Sequence, residues 1–114
     1  RMTDMDCVFC SIVRGDIPSK KVYEDDQVLA FYDIEPKAPV HILVIPKQHI
    51  SGAAELTAEN AAVVAHVFEV IAKIAREQNI GDFRVVTNNG VGAGQTVPHL
   101  HFHILAGKVL GEMG

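Results

Sequence analysis

The chain has 114 residues, a formal charge of -4, 48% hydrophobic and 21% charged residues. That length fits one domain with a workable core and little surplus. The charge excludes a general nucleic-acid or acidic-membrane binder, which needs a clustered positive surface, but not a small anionic ligand held by a few local donors. Residues 1–5, with Arg1 ahead of Met2, are read as a flexible N-terminal remnant, and 6–114 as a single domain. Asp4 and Asp6 break any signal-peptide pattern. No apolar stretch approaches the ~20 residues of a membrane span, so the cytoplasm is the expected location and no membrane partner is expected.

Residues 7–14 suit a short helix that ends near Gly15 and Pro18. Val22–Glu24 and Val28–Tyr32 read as strands around a turn at Asp25-Asp26, which makes 22–32 a hairpin. Asp33–Pro39 carries two prolines and is a loop. His41–Ile45 is β-branched and apolar, a buried strand closed by Pro46. Residues 58–79 carry the strongest helical signal, with Thr57 as N-cap, Glu59 in the first turn, and Asn79 and Gly81 as stops. Its apolar stripe is Val63, Val67, Val70, Ile71 and Ile74. Phe83–Thr87 is a strand, Asn88–Gly94 a loop with three glycines, and Leu100–Leu105 the last strand. Five strands, mostly in hairpins, with one long helix and a short N-terminal one imply an α+β domain built on an antiparallel sheet.

The run His99-Leu100-His101-Phe102-His103 is the chemical centre of the sequence. On a strand, alternate side chains share a face, so the three histidines point one way and Leu100, Phe102 and Ile104 the other, into the core. Such a row can be a hydrogen-bonded surface row, a metal site or a nucleophile, since neutral imidazole is nucleophilic near neutral pH. The preceding segment, Asn88 to Thr96, combines glycines with amide and hydroxyl donors. Its free backbone N–H groups suit phosphate oxygens. A phosphate cradle leading into nucleophilic histidines points to phosphoryl chemistry. The pair Cys7 and Cys10 has the spacing of half a zinc site; a reduced thiol pair is the plainer reading, and a thioredoxin-like motif fits poorly because no strand precedes it. His66 is expected on the helix surface or at a dimer contact, and Lys47 in solvent.

Three segments together resemble the histidine triad family, in its nucleotide-binding branch. They are Cys7–Pro18 with Val22–Asp26, then Leu29–Pro36 with Ala38–Ile50, then Asn88–Val97 with His99–Leu105. They span nearly the whole chain in family order. The resemblance implies a homodimer whose antiparallel sheet continues across two subunits, and a purine nucleotide of the AMP or GMP type as ligand. It implies a catalytic set of His101, His103 and His41. His101 attacks the α-phosphorus and is transiently nucleotidylated, the carbonyl of His99 orients it, and His41 supports the cluster. His103 and Thr96 would contact the phosphate, with Asn88, Gly94 and Gln95 shaping its pocket. Phe9, Phe31, Asp33 and Ile34 would hold base and ribose, although Asp33 alone also reads as a plain turn residue.

For the cysteine pair, the resemblance to microbial members implies one structural zinc on Cys7, Cys10, His49 and His99. The tail Ala106–Gly114 lacks the Trp-Pro-Pro-Gly ending of many relatives, and Tyr32 stands where animal members often have histidine. The expected activity is hydrolysis of nucleoside phosphoramidates or adenylyl conjugates. Dinucleoside polyphosphate hydrolysis, a zinc hydrolase using His101 and His103 as ligands, and a nucleotide-binding regulator with little turnover are the alternatives.

Overall fold

Residues of alternating direction on two central strands are apolar on both sides, so the sheet must be covered twice. The computed structural model describes residues 7–113 and shows how. In chain order it has α1 (Val8–Arg14), β1 (Lys21–Glu24), β2 (Val28–Tyr32), β3 (Val40–Pro46), α2 (Ala62–Glu77), β4 (Phe83–Val86) and β5 (Phe102–Ala106). The five strands form one sheet in the order β1-β2-β3-β5-β4, antiparallel throughout. The α+β class read from the sequence is the observed one. The expected remnant over 1–5 lies outside the described residues. Among the described residues, no helix is long and apolar enough to cross a membrane.

Register assigns each face. Phe31 lies opposite Leu43, and Leu43 opposite His103. One face therefore carries Val28, Ala30, Ile42, Val44, Phe102 and Ile104, packed against Val67, Val70, Ile71 and Ile74 of α2. The other carries Leu29, Phe31, Leu43 and Ile45, covered by Phe9, Cys10 and Ile12 of α1. Each such aliphatic side chain contributes roughly 1.5–3 kcal/mol on full burial. The stripe expected on the long helix is the buried one, and His41, His101 and His103 are left on the α1 face.

Two boundaries differ from expectation for physical reasons. The long helix begins at Ala62, four residues later than read. Thr57 Oγ1 accepts from the Glu59 N–H (3.3 Å) and Asn60 Oδ1 from the Thr57 N–H (2.7 Å), so the capping chemistry closes a turn ahead of the helix. The last strand begins at Phe102, not Leu100. Pro98 has no N–H for a ladder, the Leu100 N–H donates to Ile50 O, and the Pro46 carbonyl is taken by the His99 ring (2.8 Å). His99 and His101 thus precede the strand proper.

His66 is half-buried and makes a tertiary contact. Its Nε2 lies 2.6 Å from Asp25 Oδ2, joining α2 to the β1–β2 turn, while Asp25 Oδ1 accepts from the Gln27 and Val28 N–H groups, both at 2.8 Å. The Asp25 hydrogen bond, then that of Glu69, raises the His66 pKa above its ordinary 6.5. Burial opposes the ionised form of Asp25, but the bonds from His66, Gln27, Tyr23 and Val28 prevail and hold its pKa well below the ordinary 3.8. The aspartate's contribution is present above 3.8 and lost as pH falls through its depressed value. The histidine's contribution is complete below 6.5 and lost as pH rises through its raised value. His66→Ala is therefore expected to cost about 1 kcal/mol, most between those limits. Thermal melts of both proteins across pH check it: the difference should be largest near about pH 5 and shrink by about pH 8. A pH-independent difference would contradict it. Lys47, expected in solvent, pairs with Glu24 at 2.8 Å.

Candidate functional site

A cleft of about 590 Å³ opens on the α1 face, within the size range of small-molecule sites. Its apolar wall includes Val8, Phe9, Ile12, Phe31, Leu43 and Val97; its polar wall includes Asp33, Lys37, Asn88, Thr96 and the three histidines 41, 101 and 103. Of the residues expected to meet base and ribose, Phe9 and Phe31 are buried edge to face at 5.6 Å, Asp33 is half-buried, and Ile34 is 95% exposed at the rim. Asn88, Gly94 and Thr96 also line the cleft.

Hydrogen bonds assign the histidine protons. His41 Nδ1 accepts from the Lys37 N–H (3.0 Å), so its proton sits on Nε2. That Nε2–H donates to His103 Nδ1 at 2.8 Å, across the diagonal between β3 and β5. His103 must then carry its own proton on Nε2. His101 Nδ1–H donates to the His99 carbonyl at 2.6 Å, which leaves the lone pair on its Nε2. Burial lowers the pKa of His101 and of His41; for His103, burial and then the neighbouring His101 and His41 push it to about 4. All three rings are thus neutral at physiological pH, one bearing a lone pair and its neighbour, 5.0 Å away between ring centres, bearing a donor. Phe9 packs edge-on against His101 at 5.1 Å and limits its rotation.

The loop before the histidines departs from expectation. Four of its N–H groups are already used: Ala93 and Gln95 donate to Gly90 O, Gly94 to Val91 O, and Gly90 to the Gln95 side chain. The cradle is therefore not made of free backbone donors throughout; Asn88, Gly94 and Thr96 are the residues of this loop that line the cleft. Gly94 has φ 97°, a left-handed conformation costly for other residues. Gln95, expected in the pocket, is not in its lining. It clamps the loop, its amide donating to Ser51 O (2.7 Å) and Val97 O (3.1 Å) and its oxygen accepting from the Gly90 N–H (2.7 Å). Asn89, which sequence reasoning passed over, adds a second clamp by accepting from the Ala53 N–H at 2.6 Å.

Beneath the cleft, the four side chains expected to hold a metal meet. Cys10 Sγ lies 3.2 Å from His49 Nδ1 and 3.5 Å from His99 Nδ1, and Cys7 Sγ lies 3.4 Å from His99 Nδ1. All four ligand atoms lie within 4.8 Å of one another. Zinc bonds of about 2.3 Å to sulfur and 2.0–2.1 Å to nitrogen place tetrahedral ligands roughly 3.3–3.8 Å apart, so the set fits such an ion. The fit extends outward: His99 Nε2–H donates to Pro46 O, which leaves Nδ1 unprotonated toward the sulfurs. Cys7 also caps α1, its sulfur accepting from the Cys10 N–H at 3.4 Å. A second group, Asp33, His41 and His103, is similarly close. A metal there would need the His41 Nε2 lone pair, forcing Nδ1–H against the Lys37 N–H, so His41 and His103 form a hydrogen-bonded pair instead, with Asp33 Oδ2 3.5 Å from His41 Nε2.

Residues 6–113 match the family described as "Scavenger mRNA decapping enzyme C-term binding". An uncharacterized HIT-like protein of Synechococcus elongatus is 48% identical over 106 residues, covering 92% of this chain and 93% of its own. A histidine triad protein from Clostridium difficile superimposes with a TM-score of 0.93 at 50% identity, over 99% of this chain and 100% of that one. A HIT family hydrolase from Clostridium thermocellum does so with a TM-score of 0.93 at 43% identity, over 97% and 98%.

Proposed function

This chain belongs to the histidine triad family, and from that premise we propose that it is a purine-nucleotide hydrolase cutting phosphoramidates or adenylyl conjugates at the α-phosphate. The observation that carries the reading is the His101 tautomer: Nδ1–H tied to the His99 carbonyl, Nε2 left with its lone pair beside a donor on His103. Nε2 forms a bond to phosphorus; the bond from phosphorus to the leaving amine breaks, and the amine departs with the bonding pair and takes a proton from water. Water then cleaves the phosphorus–histidine bond and releases the nucleoside monophosphate. His103 Nε2–H, the Thr96 hydroxyl and the Asn88 amide hold the phosphate oxygens, where charge builds in the transition state. His41 is a positioning residue that fixes the His103 tautomer. Acid-quenched mixing with adenosine 5'-phosphoramidate tests the reading: an adenylyl adduct on His101 should appear and decay. Turnover without any adduct would favour direct attack by water instead.

The Cys7, Cys10, His49 and His99 set is proposed to hold one structural zinc, which would tie α1 to the segment before β5. The homodimer is proposed through β4, an edge strand whose Phe83 is exposed, as is Phe68 of α2. Light scattering should give twice the chain mass; a monomer at micromolar concentration would count against it. Dinucleoside polyphosphates remain the competing substrate class, and side-by-side assays separate the two.

A further inference from the structure

Positive charge strengthens an anion-binding cleft, and this one has little. Asp33 and Glu35 both line it, and Lys37 is the single lysine or arginine in the lining. The histidines do not supply the missing charge. His41 and His103 each accept a hydrogen bond through a ring nitrogen, and an imidazolium has no acceptor, so both are neutral in this arrangement. Lys37 is also unneutralised. Lys21 and Lys47 are each paired with Glu24 at 2.8 Å, and Lys73 with Glu77 at 4.0 Å. Lys37 has no carboxylate partner among the described residues; its Nζ rests on the Glu35 carbonyl at 3.1 Å, leaving donors to spare. Its backbone N–H holds His41 Nδ1, so the ammonium hangs on a flexible stem from the very residue that ends the His103–His41 chain.

We propose that Lys37 is a substrate-binding residue whose ammonium supplies the positive charge that meets the phosphate of the bound nucleotide. This deepens the nucleotide reading and rests on it. The loop before β5 contributes neutral donors, and the histidines contribute a lone pair and the His103 donor; the charge comes from the β2–β3 loop. The side chain can be changed without touching the N–H that positions His41, which makes the two duties separable.

The test is equilibrium binding of AMP and of adenosine to the full chain and to Lys37→Gln, Lys37→Glu and Lys37→Arg. The expected result is a loss of AMP affinity of about fivefold in Lys37→Gln and more in Lys37→Glu, with adenosine affinity unchanged and Lys37→Arg close to the parent. The salt dependence of AMP binding should flatten in Lys37→Gln. Equal AMP affinity in all four proteins overturns the role of Lys37 and leaves the nucleotide reading standing. Parallel loss of AMP and adenosine in Lys37→Gln, but not in Lys37→Arg, overturns it too, because the defect would not follow the phosphate. No AMP binding by the parent protein overturns the nucleotide reading, and the proposal with it.

Discussion

His101→Ala is expected to lower kcat on adenosine 5'-phosphoramidate by about 10³-fold or more while AMP still binds. The size of the effect follows from what the ring alone provides. Among the cleft histidines its Nε2 carries the one lone pair not already accepting a hydrogen bond, because His41 Nδ1 accepts from the Lys37 N–H and His103 Nδ1 from His41. The residues proposed to meet base and ribose lie on other elements, Phe9 on α1 and Phe31 on β2. Binding and chemistry should therefore separate. Steady-state kinetics with calorimetric AMP titration check this; residual turnover within tenfold of the parent would remove His101 as the nucleophile. A large loss of AMP affinity would instead mark the ring as a binding group.

The second large effect is expected at the metal. Metal analysis of purified protein should show about one zinc per chain, and Cys10→Ala should lose it. Because α1 is one short helix, its attachment depends on few contacts: Phe9, Cys10 and Ile12 against the sheet, and the Cys7 and Cys10 sulfurs against His49 and His99. A metal that bridges all four adds its binding energy to the folded state. Its loss is expected to cost at least about 3 kcal/mol, a Tm decrease of about 15 °C for a chain of this size. Differential scanning calorimetry of the zinc-loaded parent and of Cys10→Ala measures it. Equal melting temperatures, or protein that folds fully without zinc, would show that the four residues pack without needing an ion.

Much of this was legible in the chain. Periodicity marked the stripe from Val63 to Ile74 and the doubly buried strand around Ile42–Ile45, because burial on one or two faces leaves a direct pattern. The alternation of His99 to His103 with Leu100 and Phe102 likewise marked the latter two as core. What the pattern could not carry was long-range hydrogen bonding. Gln95 and Asn89 look like generic loop donors, yet both are clamps on residues 51–53, more than thirty positions away in sequence. The backbone N–H of Lys37 on His41 is invisible to side-chain pattern, and so is the pairing of His66 with Asp25 across 41 residues. Thr57 carried a true local signal, but the signal for a turn and for a helix start is the same side-chain oxygen.

One residue, His99, faces two ways: its ring toward the sulfurs and its carbonyl toward His101. With the proposed zinc in place, a reagent that extracts it or alkylates the thiols would therefore slacken the support of the His101 ring without ever entering the cleft. Inhibition by a chelator, in this architecture, would follow from lost alignment alone, so by itself it is no evidence that a metal takes part in bond breaking. Comparing the rate at which zinc leaves with the rate at which adduct formation fails would tell mechanical slackening from direct participation.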